Sequence, residues 1–373
     1  MTARAADVEE VTGDMVALHG TDPASVYLAA WARMRNPDVT AIERALYERR
    51  TLVRMLGMRR TMFIVPVELV PVVHCACTEA IARRERHRFL RMIEQSGIVA
   101  GAGSWLRRVE EATVQALEAR GEATAAELSR DVPELRLQVP VAVGTKWEGV
   151  LGVSTRVLFL LAAEGRVVRG RPRGSWTSTQ YAWAPMRSWL PGDERAATLT
   201  VEAARVKLVQ RWLAAFGPGT VDDIKWWTGL TLGEVRRALK EIGTVDVDLD
   251  GRSGLVLEDD VEVVRTPDPW VALLPALDPT VMGWTERTWF LGRHGPALFD
   301  RSGNPGPTVW WDGRIVGGWA QRKDGEIAYR LLEDAGAGAV RAVEAAAGSL
   351  GAWLGEVRVT PRFRTPLERE LAG

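Results

Sequence analysis

Residues 154–185 read STRVLFLLAAEGRVVRGRPRGSWTSTQYAWAP, and the order of patterns inside them decides the fold. The opening STRVLFLLAAEG spaces its apolar residues for a helix and ends on Gly165, a good helix stop. Two extended runs around a tip rich in Gly, Pro and Ser follow, the pattern of a β-hairpin. Upstream, WLRRVEEATVQALEARG (105–121) has helical spacing and stops on Gly121, and TAAELSRDV (124–132) supplies a short helix between. Helix, helix, helix, hairpin is the order of a winged helix. In that fold the third helix can enter the major groove while the hairpin tip touches the backbone or minor groove. The tip here carries Arg169, Arg171 and Arg173 beside Ser175 and Trp176. Such a set suits phosphate contact or minor-groove insertion, and a solvated hairpin tip is the plain alternative.

The same grammar recurs on both sides. Downstream, helices are expected over 194–217, 220–229 and 231–243, then paired strands TVDVDLDG (244–251) and SGLVLE (253–258). Thr220 ahead of Asp222 and Asp223, and Thr231 ahead of Glu234, have the spacing of N-terminal caps. Upstream, DPASVYLAAWARM (22–34) and DVTAIERALYERRTLV (38–53) read as helices and TMFIVP (61–66) as a strand. A long helical segment over 67–95 follows, with Arg83, Arg84, Arg86, His87, Arg88 and Arg91. Such a charge run is usually a solvated helix face, with nucleic-acid contact as the minority reading. From 265 the texture changes to Pro, Gly and Trp. PTVWWDGRIVGGW (307–319) forms two strands around Asp312-Gly313, a strong hairpin signal. Of the adjacent Trp310 and Trp311, one is expected to face the core. An alanine-rich helix over 331–355 and a last strand, EVRVTPRF (356–363), complete the reading. The expected fold class is α+β and helix-rich, with tandem winged-helix modules and a C-terminal mixed α/β domain. The expected boundaries are 1–100, 101–192, 193–264 and 265–373.

Composition narrows the function classes. A chain of 373 residues with 46% hydrophobic and 26% charged content has the balance of a soluble globular protein. Its apolar runs are too short to span a bilayer and it opens with no secretory pattern, so a cytoplasmic location is expected. Net charge is zero, yet residues 1–190 carry 26 Lys+Arg against 21 Asp+Glu, and the remainder 22 against 27. One basic face on a neutral protein suits a polyanionic partner. Cys75 and Cys77 are two apart in a helical context, where side chains do not face each other, so buried thiols are expected rather than a disulfide. His74 beside them finds no second half of a metal cluster. No P-loop, paired CxxC, HExxH or GxSxG occurs, so the common nucleotide-hydrolysing, zinc-protease and hydrolase motifs are unsupported.

Chemistry concentrates in LHGTDP (18–23), which holds one of only four histidines. Thr21-Asp22-Pro23 reads as a helix start, a capping side chain before a proline at the first helical position. His19 has no such explanation. HGTDPASVYLAAWAR (19–33), ALYERRTLVRMLGMRRTMFIVP (45–66), LLPALDPTVMGW (273–284) and PTVWWDGRIVGGW occur in the order found in the AlkZ/YcaQ-type winged-helix DNA glycosylases of bacteria, which the chain resembles over nearly its whole length. That family's catalytic motif is Gln-x-Gln or Gln-x-Asp. Here the first glutamine falls on His19, the middle residue on Gly20 and the second polar residue on Thr21, with Asp22-Pro23 matching the DP that often follows.

The resemblance implies hydrolytic excision of alkylated purines or crosslinks from double-stranded DNA, in repair or genotoxin resistance. A monomer is expected, and the resemblance implies no metal or organic cofactor. His19, Thr21 and Asp22 are then the catalytic candidates. A neutral imidazole, with an unperturbed pKa of about 6.5, could accept a proton from water. Asp22 could supply negative field, and Thr21 a hydrogen bond to water or phosphate. Arg59 and Arg60 match a family stretch near the site and become phosphate-contact candidates. The runner-up is a DNA binder without catalysis, a regulator or damage sensor, because neither glutamine is present.

Overall fold

Three helices begin on reciprocal caps. The pairs Thr124 with Glu127, Thr220 with Asp223 and Thr231 with Glu234 each exchange side-chain and backbone hydrogen bonds, satisfying two otherwise orphaned backbone donors at each start. In the computed structural model, residues 3–141, 144–146, 148–190 and 199–373 are described. Of the helix expected over 194–217, positions 194–198 lie outside the described residues, and the rest contains Val201–Phe216. The fold is mixed α+β with small antiparallel sheets. No helix among the described residues is long and apolar enough to cross a membrane.

The first sheet positions the candidate loop. Strand Met62–Pro66 lies between Leu18–His19 and Leu52–Leu56, with His19 opposite Phe63, Met55 opposite Phe63, and Arg54 opposite Ile64. Partners directly across an antiparallel pair share a face, and neighbours along a strand alternate. His19, Phe63 and Met55 therefore point to one side of the sheet, and Arg54, Ile64 and Leu18 to the other. The helix expected over 38–53 would have ended on Leu52 and Val53. Instead the helical turns stop at Glu48, Arg50 takes a positive φ of 57°, and the buried run LVRML pairs as a strand.

In the next segment, helices Ala102–Arg120, Ala125–Asp131 and Val153–Ala163 precede the hairpin Val167–Pro172/Tyr181–Pro185. A further strand pair, Gln138–Val141 with Gly149–Gly152, was not foreseen. Strands Thr244–Asp248 and Ser253–Leu257 pair as expected. The last sheet runs in the order Val271–Leu274, Thr308–Trp311, Arg314–Gln321, Ile327–Leu331. Its central turn places Asp312 and Gly313 at φ 46° and 82°, the paired positive values of a tight hairpin. Trp310 is buried against Phe290, and Trp311 is half-buried.

The expected strand 356–363 does not form. Side chains rather than a neighbouring strand hold it: Gln321 bonds Val359 N–H and Val357 O, and Asp22 accepts from Arg362 N–H. Pro361 offers no donor for a ladder.

The core crosses the segment boundaries. One cluster joins Leu18, Tyr27 and Ile64 to Trp176, Trp212, Phe216, Trp319 and Leu350. The 101–185 region also builds a cluster of its own around Leu106, Val109, Leu128, Val157 and Leu161. Arg86, from the basic helical run, ties the two regions together by ion pairs with Glu110 and Glu164 at 2.7 and 2.6 Å. Arg83 pairs along its own helix with Glu79. Both cysteines are free. Cys77 is buried and Cys75 half-buried, each thiol directed at a backbone carbonyl.

Candidate active site and nucleic-acid interface

The chain passes from strand to helix through His19-Gly20-Thr21-Asp22. Gly20 N–H bonds to Met62 O as a last ladder contact, and Asp22 starts helix Pro23–Trp31. One Asp22 oxygen accepts Ala24 N–H at 3.2 Å, the expected cap, and the other accepts Arg362 N–H at 3.0 Å. Burial pushes this carboxyl above the ordinary range, against the two N–H groups that draw it down. Asp22 is thus both a helix cap and an anchor for the C-terminal segment, 340 residues away.

His19 is 6% exposed and its ring lies 5.2 Å from that of Phe63. Burial, assisted by the nearby Arg59 cation, pulls its pKa down to about 3. The imidazole is neutral at physiological pH, as a water-binding role requires. A base of that strength accepts a hydrogen bond but does not hold a proton near neutrality. Thr21 N–H donates to the imidazole Nδ1 at 3.5 Å.

Arg54 governs the other side of the loop. This fully buried guanidinium rises from an otherwise apolar strand, donates to Gly20 O, and stacks 4.9 Å from the Tyr181 ring centroid. A Cβ on Gly20 would sit 3.1 Å from Arg54 Nη1 and 3.3 Å from the Phe63 carbonyl carbon, so the close approach needs glycine. Beyond Arg54 opens a cavity of about 550 Å³ bordered by Thr21, Thr124, Arg169, Gln180, Tyr181 and Arg362. No carboxylate borders it among the described residues. The buried Thr21 hydroxyl has no hydrogen-bond partner among the described residues. Arg169 stacks over Tyr181 and Trp183 at 5.6 and 5.2 Å, and burial together with Arg54 holds its guanidinium below the ordinary arginine value. Arg362 also borders an open cleft of about 830 Å³ with Arg301, Phe363 and Arg369.

A model of the DNA glycosylase AlkZ-like family matches residues 12–353. The chain belongs to the AlkZ-like DNA glycosylases. Base excision from DNA is the reaction class of that family, and DNA the partner it implies. Among solved structures, Streptomyces sahachiroi DNA glycosylase AlkZ matches with a TM-score of 0.71 and 22% identity, over 96% of this chain and 94% of that one. At that identity the likeness speaks for the fold. No curated protein sequence matches the chain.

Within this AlkZ-like fold the sequence candidates separate. Thr21 borders the cavity and Asp22 lies behind it. His19 points to the opposite face of the sheet from Arg54, so the three do not converge on one point. Arg59 stacks 3.9 Å from the Trp226 ring centroid, while Arg60 pairs with Glu85 at 3.0 Å.

The hairpin tip is docked rather than free. Arg171 pairs with Glu43 and Glu48 at 2.8 and 3.1 Å. Trp176 is buried, its ring 4.7 Å from Tyr27 and 6.0 Å from Trp353. The buried Trp176 is placed for packing rather than insertion, and Arg171, 43% exposed, is engaged by carboxylates. Apolar burial of an indole outweighs display of a wing tip. Arg173 and Ser175 remain exposed, Arg173 3.9 Å from Glu127 and Ser175 bonded to Thr177. Sequence reasoning missed Arg54, Gln180, Tyr181 and Arg362. Only Arg54 gave a signal, a lone charge inside the apolar run LVRML.

Proposed function

We propose that this AlkZ-like glycosylase excises purines alkylated at N7 or N3, including the arms of interstrand crosslinks, by hydrolysis of the N-glycosidic bond. The single observation that carries the reading is the cavity beside the Asp22 helix start, bordered by Thr21, whose hydroxyl has no partner among the described residues, and by Arg169 and Arg362, which have no ion pair among them. Alkylation leaves a positive charge on the purine. Breaking the C1′–N bond returns the bonding electrons to the base, which departs neutral, and leaves an oxocarbenium-like sugar. Water adds its oxygen to C1′ and gives up a proton to solvent.

Thr21 orients that water, and the Asp22 carboxylate supplies negative field from behind the loop. Neutral His19 fixes the loop through Thr21 N–H. Arg169 and Arg362 hold phosphates, with Arg173 and Ser175 at the outer edge. Among the described residues no lysine borders the cavity, which favours a monofunctional hydrolase over one that forms an imine with the sugar. The duplex is gripped by a monomer through units 1–100, 101–192, 193–264 and 265–373, in the cytoplasm at the nucleoid.

A second reading, DNA binding without catalysis, is favoured by the weak basicity of His19. Duplexes carrying N7-methylguanine, N3-methyladenine or a bis-alkylated crosslink separate the two. Base release followed by alkali-labile breaks supports the glycosylase. Tight duplex binding with no release from any of the three supports the binder.

A further inference from the structure

We propose that Arg59 and Arg287, gathered around the Trp226 indole, form a clamp for one backbone phosphate of the bound duplex on the His19 side of the sheet. The proposal rests on DNA being the partner and adds a site for it. The guanidinium carbons of Arg59 and Arg287 lie 3.9 and 4.7 Å from the centroid of the same indole ring. Both cations therefore sit against one ring, and an arginine fork reaches phosphate oxygens with N···O contacts of about 2.8 Å.

Neither arginine has an ion pair among the described residues. The nearest candidate, Asp223, is 2% exposed and its oxygens are taken by Thr220, Thr285 N–H and Glu286 N–H. Arg287 uses Nε on Trp284 O at 3.0 Å and Nη2 on Met282 Sδ at 4.0 Å, which fixes the plane of the group, and neither terminal nitrogen has an oxygen partner among the described residues. Arg59 Nε is buried and unpartnered among the described residues. Both groups are half-buried. Burial and mutual repulsion draw Arg59 down to about 10, and burial also lowers Arg287 against the pull of Asp223.

Two like charges gathered on one ring without an ion-pair partner among the described residues form a site waiting for an anion, and the planar fork of arginine matches phosphate oxygens. The backbone is shaped for this placement. Arg59 and Arg60 adopt φ of 52° and 61°, a region non-glycine residues seldom occupy. Opposite them Gly229 has φ +74° and leaves room for Arg59 N, which a Cβ there would approach to 3.2 Å.

The test is duplex binding by fluorescence anisotropy, with unmodified DNA, across a salt series. Arg59→Gln and Arg287→Gln should each weaken binding about tenfold, the loss of one charge-assisted contact. The double variant should lower the slope of log K against log [salt] by about 0.9, the value for one phosphate and not two. Arg→Lys at either site keeps the charge but loses the fork, so affinity should fall while the slope stays. A scan of neutral methylphosphonate linkages with the wild-type protein needs no variant to fold. One linkage should weaken wild-type binding and leave the double variant unaffected. An unchanged slope, a two-phosphate slope, or no such linkage overturns the clamp. If the wild type shows no salt-dependent duplex binding, the clamp and the DNA reading fall together. If the linkage is found but no alkylated base is released, the clamp stands and the excision proposal alone fails.

Discussion

At the scale of single residues, His19 and Asp22 carry opposite kinds of burial cost. An unfolded His19 takes up a proton below about pH 6.5, whereas the folded protein refuses it until about 3. Its contribution to stability is therefore full above pH 6.5 and declines as pH falls through that window. Urea midpoints of His19→Gln should decline less steeply than wild type between those limits, and parallel curves would refute the assignment. Because the imidazole stays neutral, base release should show no inflection from His19 between about pH 5 and 8. Asp22→Ala should cost about 1–3 kcal/mol in urea unfolding, since a cap and a second anchoring bond are lost together. Asp22→Asn keeps one acceptor but sets a donor against one N–H. If base release falls about a hundredfold with most stability kept, the negative charge matters beyond the cap. Equal rates in wild type and Asp22→Asn would remove the carboxylate from the mechanism.

At the scale of elements, the wing hairpin shows which of two forces fixes it. Its two ion pairs through Arg171 are solvent-facing, Arg171 being 43% exposed, and such pairs contribute about 0–1 kcal/mol each. Trp176, by contrast, is buried between Tyr27 and Trp353. Trp176→Ala should cost about 3–5 kcal/mol, and Arg171→Ala about 1 kcal/mol or less. Chemical denaturation of the two variants checks the ranking, and the reverse order would mean that charge docks the wing. The arginines of this hairpin divide along the same line. Arg169, on the strand and facing the cavity, lacks a carboxylate partner among the described residues. Arg171, one strand position on from Gly170, is consumed in docking.

At the scale of the whole molecule, the motifs WAR (31–33) and LDPT (277–280) prove to be two halves of one contact. Arg33 meets Asp278 through two hydrogen bonds of 2.9 and 2.6 Å, with Thr280 at 2.8 Å, and Asp278 is fully buried. This pair spans 245 residues and ties the end of the candidate loop's helix to the turn that follows strand Val271–Leu274. Arg33→Met or Asp278→Asn alone strands a buried group and should cost about 3–5 kcal/mol. The double variant should recover part of that loss in a double-mutant cycle of unfolding free energies. Simple additivity would show that the two groups do not act as a pair. Residues that a family comparison singles out as shared can thus serve architecture rather than catalysis.

Local physics was legible in the linear chain. Capping spacings located the helix starts at 22, 220 and 231, and the Asp312-Gly313 turn located its hairpin, because each depends on residues a few positions apart. The DP of LHGTDP was recognisable as a cap for the same reason. The motif order was enough to identify the family, which the match over residues 12–353 bears out. What the chain could not disclose was anything decided by side chains meeting from distant segments. The burial of Trp176, the second bond of Asp22 to Arg362, the sheet register that turns His19 away from Arg54, and the gathering of Arg59 with Arg287 on Trp226 all belong to that class. A cap is fixed by neighbours along the backbone, whereas a buried charge or a shared ring is fixed by whichever surfaces the folded core brings into contact.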